Sequence, residues 1–458
     1  MATDQFDVAI LGGGTGGYTA AIRAAQLGKR VALIESNKVG GCCLHVGCIP
    51  TKALLESSGL FHKVAARGAE YGIQVKDAAY DIERIATRRD GVVNQLYKGV
   101  QGLMRKNKIE VIPGRGTLKG GGRIDVEGRT IQAAAAIVAT GSAPRALPGL
   151  EFDGERIVSS DHSVLARSVP GSVAIIGAGA IGVEFATYYH QLGAEVTLLE
   201  ALDRVVPLED EDVSKVVRQS FERDGIKVRT GVRVKGASVG GGKVTVELED
   251  GKVEAEQLLV AIGRTPRTKD IGLEAAGVEV DKRGFVTVDE WQRTSAKGVW
   301  AIGDAVGGFL LAHAAAHEGI TAVEDLAGAR VHPMSQNLVT RCTYSTPEIA
   351  SVGLTEAQAK EQGHEVKVGR FPFAANGRAL IHGEPAGFAK LVADATTGQL
   401  LGAHVVGVQA TELIAEPALA QLFEGDAWEL GRNIHPHPTL SEVLGEAALA
   451  VDGVAINI

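Results

Sequence analysis

The chain has 458 residues and a formal net charge of −8, with 45% hydrophobic and 22% charged residues; at about 150 residues per domain that is ordinary globular usage for about three domains. A peptide hormone, a small disulfide scaffold and a lone binding module are excluded, and the acidic balance opposes a sequence-independent grip on nucleic acid. No apolar run approaches the ~20 residues needed to cross a bilayer, and Met1 to Asp7 carries two Asp and no basic residue, so neither membrane insertion nor a signal peptide is expected.

In chain order, Phe6 to Leu11 (FDVAIL) reads as a buried strand, followed by GGGTGG and a helical run from Tyr18 to Leu27. A second strand, Arg30 to Ile34, ends at the acidic Glu35. Gly12, Gly14 and Gly17 fit the dinucleotide fingerprint G-x-G-x-x-G. Its glycines permit the tight turn, the approach of a pyrophosphate and close helix packing, while the acid accepts a ribose hydroxyl. No G-x-x-x-x-G-K-[ST] run occurs, so a P-loop nucleotidase is not supported.

Gly40 to Leu55 reads GGCCLHVGCIPTKALL and holds Cys42, Cys43 and Cys48, three of the four cysteines. Such crowding is unlike a secreted disulfide framework and suits chemistry in a reducing, cytoplasmic compartment. Three readings of the cluster are open. Zinc could use Cys42, Cys43, His45 and Cys48, but structural zinc usually draws on two separated pairs. The thiols could be inert core residues, the reading also given to Cys42 and Cys342. Or they form a redox dithiol, pairing Cys48 with Cys43 or with Cys42. On an ideal helix these pairs lie ~8.7 and ~9.8 Å apart, beyond the ~6.8 Å reach of a disulfide. A bridge therefore needs a distorted turn, which Gly47 and Pro50 encode, and Cys43 with Cys48 needs the smaller distortion. Lys52 follows Cys48 by one turn on the same face.

The strand end IVATG, Ile137 to Gly141, closes the first repeat. The design then recurs: a strand at Val173 to Ile176, GAGAIG, a helix to Leu192, a strand at Glu195 to Leu199, then Glu200. Gly177, Gly179, Gly182 and Glu200 each stand 165 positions after Gly12, Gly14, Gly17 and Glu35. A carboxylate in these positions favours NAD or FAD over a 2′-phosphorylated nucleotide. LVAIG, Leu259 to Gly263, closes the second repeat. From about Ile349, strands (Phe388 to Val392, Leu401 to Val406) and helices (Ala410 to Leu422, Leu440 to Ala450) suggest a separate α+β domain.

The cysteine motif resembles that of the flavin-dependent pyridine nucleotide-disulfide oxidoreductases. The likeness extends through GVWAIGDA (Gly298 to Ala305), LAHAAAHEG (Leu311 to Gly319), TPEIASVGLTE (Thr346 to Glu356), FPFAANGRA (Phe371 to Ala379) and HPHPTLSE (His435 to Glu442). It covers essentially the whole chain and is nearest to members that oxidise dihydrolipoamide. It implies an α/β fold with two Rossmann-like dinucleotide-binding domains plus a C-terminal α+β dimerisation domain. The expected boundaries are 1–145 for the first part of the FAD domain, 146–265 for the NAD domain, 266–340 for the return to the FAD domain, and 341–458 for dimerisation.

By this resemblance Cys43 is the interchange thiol, Cys48 the charge-transfer thiol, and Lys52 pairs with Glu184 near the flavin. FAD is held by Gly12, Gly14, Gly17, Glu35, Lys52, Gly116, Thr140, Gly141, Ser142, Asp304 and Ala312, with His313 close by. NAD is held by Gly177, Gly179, Ile181, Gly182, Glu200 and Gly263. No resident metal is implied. His437 with Glu442 resembles an acid–base dyad; His435 has the same chemistry, and only the family pattern selects His437. That histidine serves the other subunit, so a homodimer is expected. The partner would be a lipoyl-bearing acyltransferase of a 2-oxo acid dehydrogenase complex or the glycine cleavage H protein, since no lipoyl domain precedes the first strand.

Cys42, His45 and Arg267 depart from the family's usual Thr, Asn and Asn. Glutathione- or mercuric-reductase-like chemistry is the near alternative. It is opposed by Glu200 and by the lack of any cysteine after Cys342. A flavin-binding assembly subunit without catalysis is the distant alternative, opposed by the intact set Cys43, Cys48, His437 and Glu442.

Overall fold

The computed structural model describes residues 4–458. The chain forms two compact units, one of Met1–Ala53, Arg84–Arg145 and Gly263–Met334, the other of Leu54–Glu83, Ala146–Ile262 and Ser335–Ile458.

In the first unit the strand read at Phe6 extends back to Asp4, giving Asp4–Leu11, and the helix begins three residues before Tyr18, giving Thr15–Gln26. The strand pairs in parallel with Val31–Glu35 on one side and with Arg129–Val138 on the other. Glu110–Pro113 and Val299–Ala301 extend the parallel part, and Arg123–Val126 with Gly116–Leu118 adds an antiparallel edge. The central strand is buried on both faces. Val8 and Ile10 pack with Ala20, Ala24 and Val323 on one side, whereas Ala9 and Leu11 pack with Ile34, Ile124 and Val138 on the other. A strand covered on both faces reads as an unbroken apolar run, which is why FDVAIL was legible.

The second unit contains the repeat of this design. Ser172–Ile176 pairs in parallel with Glu195–Leu199 and Gln257–Val260, and Lys227–Arg229 and Ile157–Val158 form the edges. The helix Ala180–Gln191 follows its glycine turn. A β-carbon on Gly182 would overlap the carbonyl oxygen of Gly177, and one on Gly17 would overlap that of Gly12. Only glycine lets each helix seat on its turn. Gly182→Ala is therefore expected to cost about 1–3 kcal/mol of stability through overpacking. Thermal melts check this, and an unaltered melting temperature would contradict it.

The same unit carries an antiparallel sheet in the order Arg341–Thr343, Glu348–Gly353, Leu400–Gly407, Phe388–Asp394 and Val366–Pro372. Val443, Leu444, Ala447 and Val451 of the helix Glu442–Val451 close its core with Leu391, Ala403 and Val405. The single helix expected over Ala410 to Leu422 is two, Ala410–Leu413 and Ala415–Leu422. Pro417 has no N–H to bond the Leu413 carbonyl and so fits only the first turn of a new helix. Among the described residues, no helix is long and apolar enough to cross a membrane.

Candidate active site

The cysteine segment folds as two helices with a break between them. Gly41–His45 is one short helix, Val46 and Gly47 interrupt it, and Cys48–Arg67 begins the next. Gly40 and Gly41 take left-handed backbone at φ +113° and +59°. A β-carbon on Gly47 would stand 2.9 Å from the Cys42 carbonyl oxygen and 3.2 Å from Cys43 Cα. Glycine there lets the second helix fold back, so Cys43 and Cys48 have Cα atoms 4.6 Å apart and form a disulfide. Pro50 lies in the first turn, where its missing N–H costs nothing, and Thr51 donates from Oγ1 to the Gly47 carbonyl at 2.6 Å.

Two open readings close here. Cys43 and Cys48 are bonded to each other and offer no thiolate to zinc, and Cys42 is not their partner. Nor is Cys42 a core side chain. It is half-buried, and the Arg264 guanidinium (Nη2) lies 3.4 Å from its sulfur. Cys342 is half-buried against the antiparallel-sheet core, 3.9 Å from the Thr411 carbonyl. His45 braces the turn through Nε2 and the Val39 carbonyl, 3.0 Å apart, and lies edge-on to Tyr97.

The two glycine turns repeat each other bond for bond. Glu35 accepts from the backbone N–H of Gly13 through Oε2 and of Asn37 through Oε1, each at 2.7 Å. Glu200 accepts from Ala178 through Oε2 at 2.7 Å and from Leu202 through Oε1 at 2.9 Å. Each carboxylate is thereby fixed at the end of its second strand with lone pairs to spare. Gly12 and Gly177 adopt φ +110° and +99°, and the space over Gly14 and Gly179 is open. Ile181 and Gly182 lie in the first turn of the second fingerprint's helix. Gly263 instead belongs to the first unit, accepting from the Arg145 N–H at 3.0 Å.

The rest of the expected flavin set lies in the first unit. Ser142 donates to Asp304, which sits in the turn Gly303–Ala305. Arg264 donates from Nε to Ser142 Oγ at 2.6 Å and stands 3.7 Å from the Asp304 carboxylate. Gly141 has φ +71°, and Ala312 opens the helix Ala312–Leu326. Gly116 packs on Leu11 and Ile34. Thr140 Oγ1 is buried with no hydrogen-bond partner among the described residues, an orphan of the kind a bound ligand satisfies. A cavity of about 290 Å³ bordered by Glu35, Asn37, Val39, Tyr97 and Met104 opens beside the first fingerprint. An open glycine turn, a fixed carboxylate, an orphan hydroxyl and this cavity fit a dinucleotide.

Two participants escaped sequence reading. Arg264 directly follows the strand end LVAIG and was given no role. Glu318, inside LAHAAAHEG, is buried and accepts from the Gly303 N–H at 2.6 Å. Burial holds its carboxyl above the usual range, and the neighbouring Asp304 adds to this against the Gly303 bond. It braces the turn that presents Asp304.

Lys52 stands in the first unit, one turn beyond Cys48 on Cys48–Arg67. Glu184 belongs to the second unit, buried on Ala180–Gln191, and accepts from the Tyr344 N–H at 2.9 Å. Also in the second unit, His437 Nδ1 and Glu442 Oε1 are 2.8 Å apart, with the imidazole side chain 79% exposed. Burial alone would raise the Glu442 carboxyl, but bonds from the Thr439 N–H and His437 hold it below its usual range. A carboxylate fixed on Nδ1 sets the tautomer and leaves Nε2 to exchange a proton. His435 differs: its side chain is 8% exposed and its Nε2 is 2.8 Å from Glu416 Oε1. The structure thus separates two histidines that residue chemistry alone left equivalent.

The family described as Pyridine nucleotide-disulphide oxidoreductase matches residues 6–319, and its dimerisation domain matches residues 339–448. Dihydrolipoyl dehydrogenase of Bacillus subtilis is 44% identical, covering 100% of each chain. Those of Thermus scotoductus and Cupriavidus necator are 45% and 43% identical, covering 99% of each. Among solved structures, LpdA of Mycobacterium tuberculosis superimposes with a TM-score of 0.91 at 30% identity, covering 97% of this chain and 99% of that one. The HOCl-induced flavoprotein disulfide reductase RclA of Escherichia coli gives 0.87 at 29%, covering 98% and 100%.

Proposed function

This chain belongs to the pyridine nucleotide-disulphide oxidoreductase family, and from that premise we propose how its own residues carry out the oxidation of dihydrolipoamide to lipoamide with reduction of NAD+. The reaction is that of the full-length dihydrolipoyl dehydrogenases it matches, with FAD and NAD as cofactors. The observation that carries the reading is the Cys43–Cys48 disulfide at the head of a helix, in a unit whose first glycine turn fits a dinucleotide. The four expected segments, 1–145, 146–265, 266–340 and 341–458, are the proposed domains, and the last makes the protein a homodimer.

His437, charge-balanced by Glu442, takes the proton from one thiol of dihydrolipoamide. The resulting thiolate attacks Cys43 Sγ, breaking the bond to Cys48, which leaves as a thiolate. The second substrate thiol displaces Cys43 from the mixed disulfide, forming lipoamide and leaving Cys43 and Cys48 reduced. Lys52, one turn beyond Cys48 on the same helix, supplies positive charge beside it. Gly12, Gly14, Gly17, Glu35, Gly116, Thr140, Gly141, Ser142, Asp304 and Ala312 would hold FAD, which would supply the two-electron redox chemistry linking the reduced dithiol to NAD+. Gly177, Gly179, Ile181, Gly182 and Glu200 bind and orient the nicotinamide nucleotide. His437 serves the other copy of the chain in the dimer. The dihydrolipoyl group arrives on a separate acyltransferase or glycine cleavage H protein in the cytoplasm, a setting consistent with the crowded cysteines.

The direct test mixes the purified protein anaerobically with dihydrolipoamide and follows the flavin spectrum, then adds NAD+ or NADP+. A long-wavelength thiolate-to-flavin band that NAD+ discharges and NADP+ does not is the expected result. Bound flavin with an unchanged spectrum would reject dihydrolipoamide as substrate. Glu200→Gln keeps the side-chain shape while removing the charge that opposes a 2′-phosphate. Losing charge-assisted bonds should raise the KM for NAD+ about 10-fold and narrow the preference over NADP+; an unmoved NAD+/NADP+ ratio would remove Glu200 from nucleotide selection.

A further inference from the structure

His437 rides on residues 432–441, a segment without helix or strand between Ala427–Gly431 and Glu442–Val451. An exposed imidazole on irregular backbone can deliver a proton only if the backbone is held. Part of the hold is local: Thr439 donates from its N–H to Glu442 Oε2 at 2.7 Å and from Oγ1 to the Pro436 carbonyl at 2.7 Å. Asn376 Nδ2 donates to the Thr439 carbonyl at 3.1 Å.

The other part lies behind the loop. Glu416 Oε1 accepts from Asn433 Nδ2 at 2.9 Å and meets His435 Nε2 at 2.8 Å. A single carboxylate oxygen therefore binds two loop side chains, four and two residues ahead of His437. Glu416 itself is fixed in the first turn of Ala415–Leu422, the helix end at which an anion is favoured. The opposite edge of the His435 ring rests on Gly445, where a β-carbon would come 2.9 Å from Nδ1 and 3.0 Å from Cε1. His435 is thus clasped between two helices, with Nε2 engaged by Glu416.

We propose that Glu416 is a positioning residue for the proton-transfer histidine, clamping His435 and Asn433 so that the loop holds His437 in place. The inference rests on the function proposed above and adds a residue that acts without touching substrate. Charge supports the geometry. Glu416 holds the His435 imidazole above its ordinary range against the opposing effect of burial, and Glu442 on Glu442–Val451 acts in the same direction. Burial would raise Glu416 itself, but His435 and Asn433 hold it below the usual carboxylate range. Two imidazole–carboxylate pairs thus share one loop, the inner imidazole covered and the outer one exposed.

The test compares Glu416→Ala with Glu416→Gln in the full-length flavoprotein dimer. Misplacing a proton-transfer group by a fraction of an ångström to 1 Å costs up to ~10²-fold, so Glu416→Ala is expected to lower kcat for dihydrolipoamide about 30-fold with its KM changed less than about 2-fold. Glu416→Gln keeps an oxygen acceptor for both loop side chains and should recover kcat to within about 3-fold. NADH oxidation by an artificial quinone, which does not use the dithiol, should stay at the wild-type rate in both. Full kcat in Glu416→Ala, or an equal loss of quinone reduction, would overturn the proposal. Hydrogen exchange keeps the two readings separable. Even if the wild-type protein fails to turn over dihydrolipoamide, Glu416→Ala should speed exchange in 432–441 and not in Cys48–Arg67. Unchanged exchange in that loop would refute the clamp on its own.

Discussion

Replacing Cys43 by serine is expected to lower dihydrolipoamide oxidation by at least ~10⁴-fold, the scale of removing a covalent catalyst, while FAD stays bound. Serine cannot form or release the sulfur–sulfur bond through which the substrate thiolate enters, and Cys48 alone offers no disulfide to attack. Nothing in the first glycine turn depends on Cys43: Glu35 is fixed by Gly13 and Asn37, and Asp304 by Ser142 and Arg264. NADH oxidation by a quinone should therefore persist. Cys42 is the residue that could defeat the expectation, since it adjoins Cys43. Its sulfur lies against the Arg264 guanidinium while that of Cys43 is bonded to Cys48, so it should not substitute. Cys42→Ser is accordingly expected to keep turnover within a few-fold, on the scale of an ordinary half-buried change. Full activity in Cys43→Ser that disappears in the Cys42→Ser, Cys43→Ser double variant would reassign the entry thiol.

How far the fold could be read depended on whether its constraints were local. The two dinucleotide turns were legible because each glycine answers a steric demand within a few residues, and because the demand recurs. The matching bonds, Gly13 to Glu35 and Ala178 to Glu200, keep the same 165-residue offset as the glycines. The disulfide was half legible. Helix geometry ruled out a bridge on regular backbone, and Gly47 and Pro50 marked where regularity fails, but the fold-back of Cys48–Arg67 follows from close approach across that break. Arg264 was missed because its partner Ser142 lies 122 residues away, and Glu318 because its bond to the Gly303 N–H crosses from a helix to a separate turn. No periodicity or motif spacing carries such a contact. His435 and His437 show the same boundary: two residues apart and chemically identical, they were separated in the sequence only by the family pattern, and the physical difference lies in what the folded chain packs around them.

The second large effect is expected at His437, where glutamine should lower kcat for dihydrolipoamide by ~10²- to 10⁴-fold, the range for removing a positioned general base. The loss should depend on pH with a definite sign. A dithiol with a thiol pKa near ~8.5 is mostly protonated at pH 7, and each unit of rising pH below that value supplies ~10-fold more thiolate without help from a base. The defect of His437→Gln should therefore shrink as pH rises toward 8.5, because solvent hydroxide does what the imidazole did. Glu442 contributes in a different way. Its two oxygens accept from His437 Nδ1 and from the Thr439 N–H, so it both balances the imidazolium and ties down the loop. Glu442→Gln removes the charge and one of the two acceptor oxygens, and it should reduce kcat by about 10- to 100-fold, less than loss of the base itself. A His437→Gln defect that stays constant from pH 6.5 to 9 would mean that the imidazole organises the site without moving a proton. The base would then have to be sought elsewhere on the substrate's path.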